Sequence, residues 1–249
     1  MKEFDELISL VETLRSDRGC PWDRALTMQE FKTFLLEETY ELIEAIERKD
    51  GESIKEEIGD VLLHMVFLSQ IAKEQGLFDM KEVLHGVCEK MYRRHPHVFG
   101  GRRVESIEKE WEATKRRERP QSSILGPIPK ALPALLKAYL VSRKVERVGF
   151  DWKDREEIYG KFLEELEEFK EAERSNEKEA VREEIGDLLF TVVQISRSLK
   201  IDPEDALRFT VEKFIRRFNA LEERTKVGEA TQEEMNEIWE RIKEEEKGV

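Results

Sequence analysis

The chain has 249 residues, 40% of them charged and 39% hydrophobic, with a formal net charge of −13; that length can bury one large core or two small ones. The negative charge excludes a general nucleic-acid binder, whose grip on a phosphate backbone needs a positive surface. Cys20 and Cys88 form neither a disulfide framework nor a CxxC metal spacing.

The opening MKEFDELISL carries acids where a secretory leader needs a basic region. No stretch approaches the roughly 18 apolar residues of a membrane span, so the cytoplasm is the expected compartment. Thr27 precedes Met28-Gln29-Glu30, a capping box that opens a predicted helix with the body LLEETYELIEA at 35–45. Asp50-Gly51 then turns the chain. The next helix begins IKEEIGDVLL at 54–63, and Ile58, Leu62, Met65, Val66 and Ser69 follow at helical spacing as one apolar stripe. A later helix carries EKMYRRH at 89–95. RPQSSILGPIPKALP at 119–133 holds four prolines, two serines and a glycine, and reads as a linker with a boundary near residue 125.

Beyond it the signals return. FLEELEEFKEA at 162–172 repeats the first block, Ser175-Asn176 supplies the turn, and VREEIGDLLF at 181–190 repeats the second, both at an offset of 127. Ile185, Leu189, Val192 and Val193 repeat the stripe. Asp202-Pro203-Glu204-Asp205 predicts a capped helix start, and EKFIRRF at 212–218 matches EKMYRRH after a four-residue contraction. No alternating strand pattern appears. Three blocks in one order predict a duplicated all-α chain, residues 1–125 and 126–249, each a helical bundle of about four core helices.

In each half one helix offers Glu-Glu-x-x-Glu and the next Glu-x-x-Asp. The two sets are Glu38, Glu41, Glu57 and Asp60, and Glu165, Glu168, Glu184 and Asp187. Acids three apart share a helix face. A tight turn would bring both pairs together, where they repel unless a cation sits between them. Oxygen ligands without Cys or His select a hard ion, Mg²⁺ first and Mn²⁺ as its substitute. Among 56 acidic residues such spacing usually marks a solvated face, and Glu233-Glu234-x-x-Glu237, with no Glu-x-x-Asp partner, reads that way. EEIGD differs because its helix runs on into apolar sequence. Gly59 and Gly186, recurring beside the acids, suggest close approach by a neighbouring helix or ligand.

Lys90, Arg93 and Arg94, and Lys213, Arg216 and Arg217, are cations able to hold phosphate oxygens. Salt bridges to the many acids are the plainer alternative. No GxxxxGK[ST] loop occurs.

At these residues the chain resembles the MazG family, tandem-repeat members of the all-α nucleoside triphosphate pyrophosphohydrolases. GCPWD at 19–23, LLEETYE at 35–41, EEIGD at 56–60 and RRHPHVFG at 93–100 carry the likeness in the first half. PKALPALLKAY at 129–139, RVGFDW at 147–152, EEIGDLLF at 183–190 and KFIRRF at 213–218 carry it in the second. The resemblance implies a homodimer, Mg²⁺ between the carboxylates, and hydrolysis of ribo- and deoxyribonucleoside triphosphates at the α–β phosphate bond. Metal ligands map to Glu165, Glu168, Glu184 and Asp187, and nucleotide contacts to Lys161, Glu164, Lys213, Arg217 and Trp239. Glu38 or Glu165 is the expected catalytic group, orienting or deprotonating the attacking water. Phe34 stands where Lys161 does, with Lys32 two residues off register. His95 and His97 read as structural, and Trp22 and Trp152 as structural residues able to wall a base pocket. Two rivals remain. A carboxylate-bridged di-iron bundle would need Glu-x-x-His, and a helical adaptor without catalysis would release no pyrophosphate.

Overall fold

A computed structural model describes residues 2–101, 107–118, 123–126 and 128–247. Arg119–Ser122 and Pro127 of the predicted linker lie outside them. The described residues form helices and no strand, none of them long and apolar enough to cross a membrane. The chain divides into two compact units, Met1–Glu118 and Arg119–Val249.

The first unit contains α1 (Lys2–Leu14), α2 (Pro21–Ala25), α3 (Phe31–Arg48), α4 (Gly51–Glu74), α5 (Met80–Arg94), α6 (Pro96–Phe99) and α7 (Ile107–Glu118). Thr27 and Glu30 satisfy one another ahead of α3: the Thr27 amide donates to Glu30 Oε2 at 2.8 Å and the Glu30 amide to Thr27 Oγ1 at 3.4 Å. Lys49 ends that helix in the left-handed region at φ 57°. Asp50 opens α4 by accepting from the amides of Glu52 and Ser53. The two helices therefore fold back as a hairpin across one residue pair. Asp79 and Glu82 cap α5 reciprocally.

Helices α1, α3 and α5 all pack on α4, and α7 packs on α5. The core joins Val11, Leu26, Phe31, Val66, Phe67 and Ile71, with the Phe31 ring stacked on Phe67 at 5.3 Å. Truncating Phe31 to Ala removes a fully buried ring and should cost about 3–5 kcal/mol. The buried Arg15 closes the loop after α1. Its Nη2 lies 2.8 Å from Glu74, and its Nη1 donates to the carbonyls of Asp23 at 2.6 Å and Leu26 at 3.1 Å.

The second unit contains α8 (Ala134–Glu146), α9 (Arg155–Ser175), α10 (Lys178–Ser198), α11 (Pro203–Glu222) and α12 (Gln232–Lys247). Asp154 caps α9, Asn176 closes it at φ 59°, and Asp202 accepts from the amides of Glu204 and Asp205 at the start of α11. Helices α8, α9 and α11 pack on α10, and α12 packs on α11. Arg197, buried, pairs with Asp151 and with Glu146 at 3.0 Å. Trp152 Nε1 donates to Gln194 at 2.7 Å, so the FDW loop is tied to α10.

The apolar stripes are only half covered. Val66 and Val193 are buried, whereas Ile58 is 52% and Leu189 51% exposed. At Gly59 and Gly186 an added Cβ would meet nothing within 4 Å. The close approach expected there is not made by any helix of the same unit.

Candidate metal and phosphate site

The hairpins α3–α4 and α9–α10 carry the acids. Oxygens of Glu38, Glu41 and Glu57 lie within 4.8 Å of one another, and so do those of Glu165, Glu184 and Asp187. The fourth member differs between halves. Asp60 stands outside the first group yet acts on Glu38 and Glu57 through its charge. Glu168 stands outside the second, its proton affinity raised in part by the nearby Glu165.

This crowding is visible in proton affinities. Glu38 is raised above the ordinary carboxylate range by desolvation and by the charges of Asp60, Glu41 and Glu37. Glu57 and Glu184 rise for the same two reasons, desolvation first. Glu168 is raised by desolvation and by the neighbouring Glu165 and Glu164, against the pull of Lys161. Groups held in their uncomfortable ionised form are groups that a hard cation would relieve. With oxygen donors only, both clusters could hold a metal ion.

The halves neutralise themselves differently. Lys161 Nζ lies 2.7 Å from Glu164 and 2.9 Å from the buried Glu165, and these partners push the lysine's proton affinity up. In the first unit no ion pair reaches Glu38, Glu41, Glu57 or Asp60 among the described residues. Phe34, in the position of Lys161, instead packs against Trp22 at 6.2 Å, Phe31 at 5.8 Å and His64 at 6.0 Å. The His64 ring lies in this aromatic setting with Nδ1 buried and unbonded among the described residues, and desolvation lowers its proton affinity.

The predicted cations stand on α5 and α11. Lys90 is half-buried, and Lys213 Nζ sits 5.7 Å from the centre of the Phe209 ring. Arg93 and Arg94 both donate to Glu118, Arg93 Nε at 2.7 Å and Arg94 Nε at 3.2 Å. Arg216 and Arg217 both donate to Glu246, their Nε atoms at 3.3 and 2.8 Å. The salt-bridge alternative is thus realised for the arginines, by acids on the last helix of each unit. Arg94 also lies over Trp111 at 5.2 Å, while Trp239 packs on Phe214 at 5.1 Å. His95 Nδ1 bonds the Met91 carbonyl at 2.8 Å and its ring meets Trp111 at 5.1 Å, a packing role.

Glu118 and Glu246 are absent from the acids singled out by spacing. A signal for them exists: WEATKRRE at 111–118 and WERIKEEE at 239–246 share Trp, Glu, Lys and Glu at one spacing, 128 residues apart. The duplication thus extends into α7 and α12.

The MazG nucleotide pyrophosphohydrolase domain matches residues 26–99 and again 154–221, together more than half of the chain. A nucleoside triphosphate pyrophosphohydrolase/pyrophosphatase MazG of Thermotoga maritima is 47% identical over 247 residues, covering 96% of this chain and 95% of the relative. A nucleoside triphosphate pyrophosphohydrolase of Escherichia coli K12 is 36% identical, covering 99% of each. One from Mycobacterium tuberculosis is 30% identical over 58% of this chain and 45% of its own length. With the domain present twice and full-length relatives of this similarity, the chain belongs to the MazG nucleotide pyrophosphohydrolase family.

Proposed function

We propose that this chain is a Mg²⁺-dependent enzyme that hydrolyses ribo- and deoxyribonucleoside triphosphates at the α–β bond, giving monophosphate and pyrophosphate. The observation that carries the reading is the duplicated carboxylate cluster, with oxygens within 4.8 Å and proton affinities raised by desolvation and by neighbouring acids. The relatives' names give the substrate class. A hard divalent ion held there, Mg²⁺ or Mn²⁺ in its place, supplies positive charge opposite the triphosphate and acidifies water.

The ligands are Glu38, Glu41, Glu57 and Asp60 in residues 1–125, and Glu165, Glu168, Glu184 and Asp187 in residues 126–249. Glu38 and Glu165 orient the attacking water and accept its proton. Lys213 and Arg217, with Lys90, Arg93 and Arg94 in the other repeat, offset charge on the phosphates. Helix geometry supports that placement. Arg94 lies fourteen residues into α5, and Asp60 fourteen residues before the end of α4. At 1.5 Å per residue the chain is carried back about 21 Å toward the acidic end of α4. Arg217 has the same relation to Glu184 on α11 and α10. Lys161, Glu164 and Trp239 complete the nucleotide contacts.

The exposed Ile58, Leu62, Ile185 and Leu189 support a homodimer, since an apolar row beside the active acids needs a cover. The protein works in the cytoplasm and binds no nucleic acid, in keeping with its negative charge. Anion-exchange analysis of ATP and dTTP incubated with Mg²⁺ should show monophosphate and pyrophosphate as first products, and EDTA should abolish them. Diphosphate and inorganic phosphate as first products would sink the reading, and no turnover with any triphosphate would favour the adaptor.

A further inference from the structure

The two arginine–glutamate clamps are closely alike. In each, the first arginine donates Nε to Oε1 of the glutamate, and the second donates Nε to Oε2 and sets Nη2 against the same oxygen, Arg94 Nε also reaching Oε1 at 3.4 Å. In each, the first arginine is mostly exposed and the second mostly buried, with Arg94 at 16% and Arg217 at 18% side-chain exposure. The clamp survives although the glutamate follows its buried arginine at 24 residues in one half and 29 in the other. The glutamate lies seven residues after a tryptophan in both.

A guanidinium has five N–H donors in a fixed plane. Arg217 spends its Nε and Nη2 edge on Glu246, and Arg94 spends the same edge on Glu118. The opposite edge, Nη1 with the remaining Nη2 hydrogen, makes no hydrogen bond to any described residue. That edge suits two phosphate oxygens, and its direction is set once the first edge is pinned. We infer that Glu118 and Glu246 are positioning residues, which fix Arg94 and Arg217 so that their second edge meets the nucleotide's phosphates. This rests on the reading that those arginines hold phosphate.

Two further observations agree. Glu118 is pulled down to about 2, chiefly by its bond to Arg94, so the carboxylate is ionised wherever the protein works. The same pairing also recurs across different lengths of intervening chain, which matches a role in orienting the buried arginine.

The test uses the full chain with Mg²⁺ and α,β-methylene-ATP in calorimetry, beside steady-state kinetics on ATP. Glu246→Gln keeps shape and an acceptor oxygen but loses the charge that takes two donors. It should weaken binding about tenfold, as loss of a charge-assisted orienting partner does. KM should rise by the same factor with kcat within about threefold. Glu246→Asp, which keeps the charge, should recover part of the loss. In an Arg217→Lys background, which has no second edge to orient, Glu246→Gln should add less than about twofold. Melting curves identify any variant that fails to fold, and Glu246→Asp then carries the comparison. If Glu246→Gln leaves binding unchanged or tightens it while Arg217→Ala weakens it, the positioning role is wrong and the phosphate role stands. If Arg217→Ala also leaves binding unchanged, the phosphate reading itself fails.

Discussion

Lys161 Nζ stands 2.9 Å from Glu165 Oε1, one helical turn along α9, and Glu165 is buried. The lysine is an internal counter-ion for the acid cluster in the absence of metal. Lys161→Met should leave Glu165 with an uncompensated charge and destabilise the metal-free protein by about 1–2 kcal/mol. Saturating Mg²⁺ should erase most of that loss, because the ion neutralises the same carboxylates. Thermal melts with and without Mg²⁺ check this, and a deficit that persists at high Mg²⁺ would mean that ion and lysine act at different places.

Two sets of carboxylates give opposite pH signatures. Glu118 has its folded value at about 2 against an ordinary 4.5, so its contribution is full above about pH 4.5 and is lost as pH falls through about 2. The melting-temperature gap between wild type and Glu118→Gln should therefore be constant near neutrality and close in strong acid. Glu38, Glu57, Glu168 and Glu184 are raised instead. Their contribution is present at low pH and lost as pH rises through the raised values, which makes them a cost at neutral pH. Mg²⁺ should thus stabilise the protein at pH 7 and have little effect at pH 4, and an equal effect at both would contradict carboxylate ligation.

Local signals carried most of the fold. Asp50, Asp154 and Asp202 cap helices as short acids before apolar periodicity should, and the turns at Asp50 and Asn176 close both hairpins. Six acids that cluster, Glu38, Glu41, Glu57, Glu165, Glu184 and Asp187, belong to sets legible from Glu-x-x-Glu and Glu-x-x-Asp repeated at one offset, whereas Asp60 and Glu168 of the same sets stand outside the clusters. The clamps were not legible, for two physical reasons. Glu118 meets Arg94 across 24 residues of chain, and no periodicity encodes a contact between separate helices. Their helices are also strongly polar, so WEATKRRE and WERIKEEE look like solvated surface until aligned with each other. The aromatic surroundings of His64 were missed likewise, because Phe31 and Phe34 reach it from a different helix.

Gly59 and Gly186 separate the chain's own needs from those of assembly. Beyond the adjoining backbone of its own helix, an alanine Cβ would meet nothing within 4 Å at either position, and both lie inside helices. Gly186→Ala and Gly59→Ala should each stabilise the isolated chain by up to about 1 kcal/mol through helix propensity. If a second chain's helix approaches there, the same changes should weaken the homodimer. Light scattering across a dilution series, paired with melting curves, reads both effects. A dimer unaffected by either alanine would place the glycines outside the interface, and a 29.4 kDa monomer at every micromolar concentration would remove the dimer altogether.

The two halves can be tested against each other with isosteric changes. Glu168→Gln with Asp187→Asn removes two charges from the second cluster and leaves the helices their shape. Glu41→Gln with Asp60→Asn does the same in the first. Each pair should lower turnover at its own site by about a hundredfold or more, since an oxygen ligand without its charge holds a hard ion poorly. For ordinary triphosphates the larger share of pyrophosphate release should disappear with the second pair. That half has Lys161 beside the acids, where the first has Phe34 among Trp22, Phe31 and His64. Neutralising Glu168, whose proton affinity is already raised, should also increase the melting temperature of the metal-free protein. Loss of all activity from the first pair alone would reverse this ranking, and an unaltered rate from either pair would make that half a scaffold.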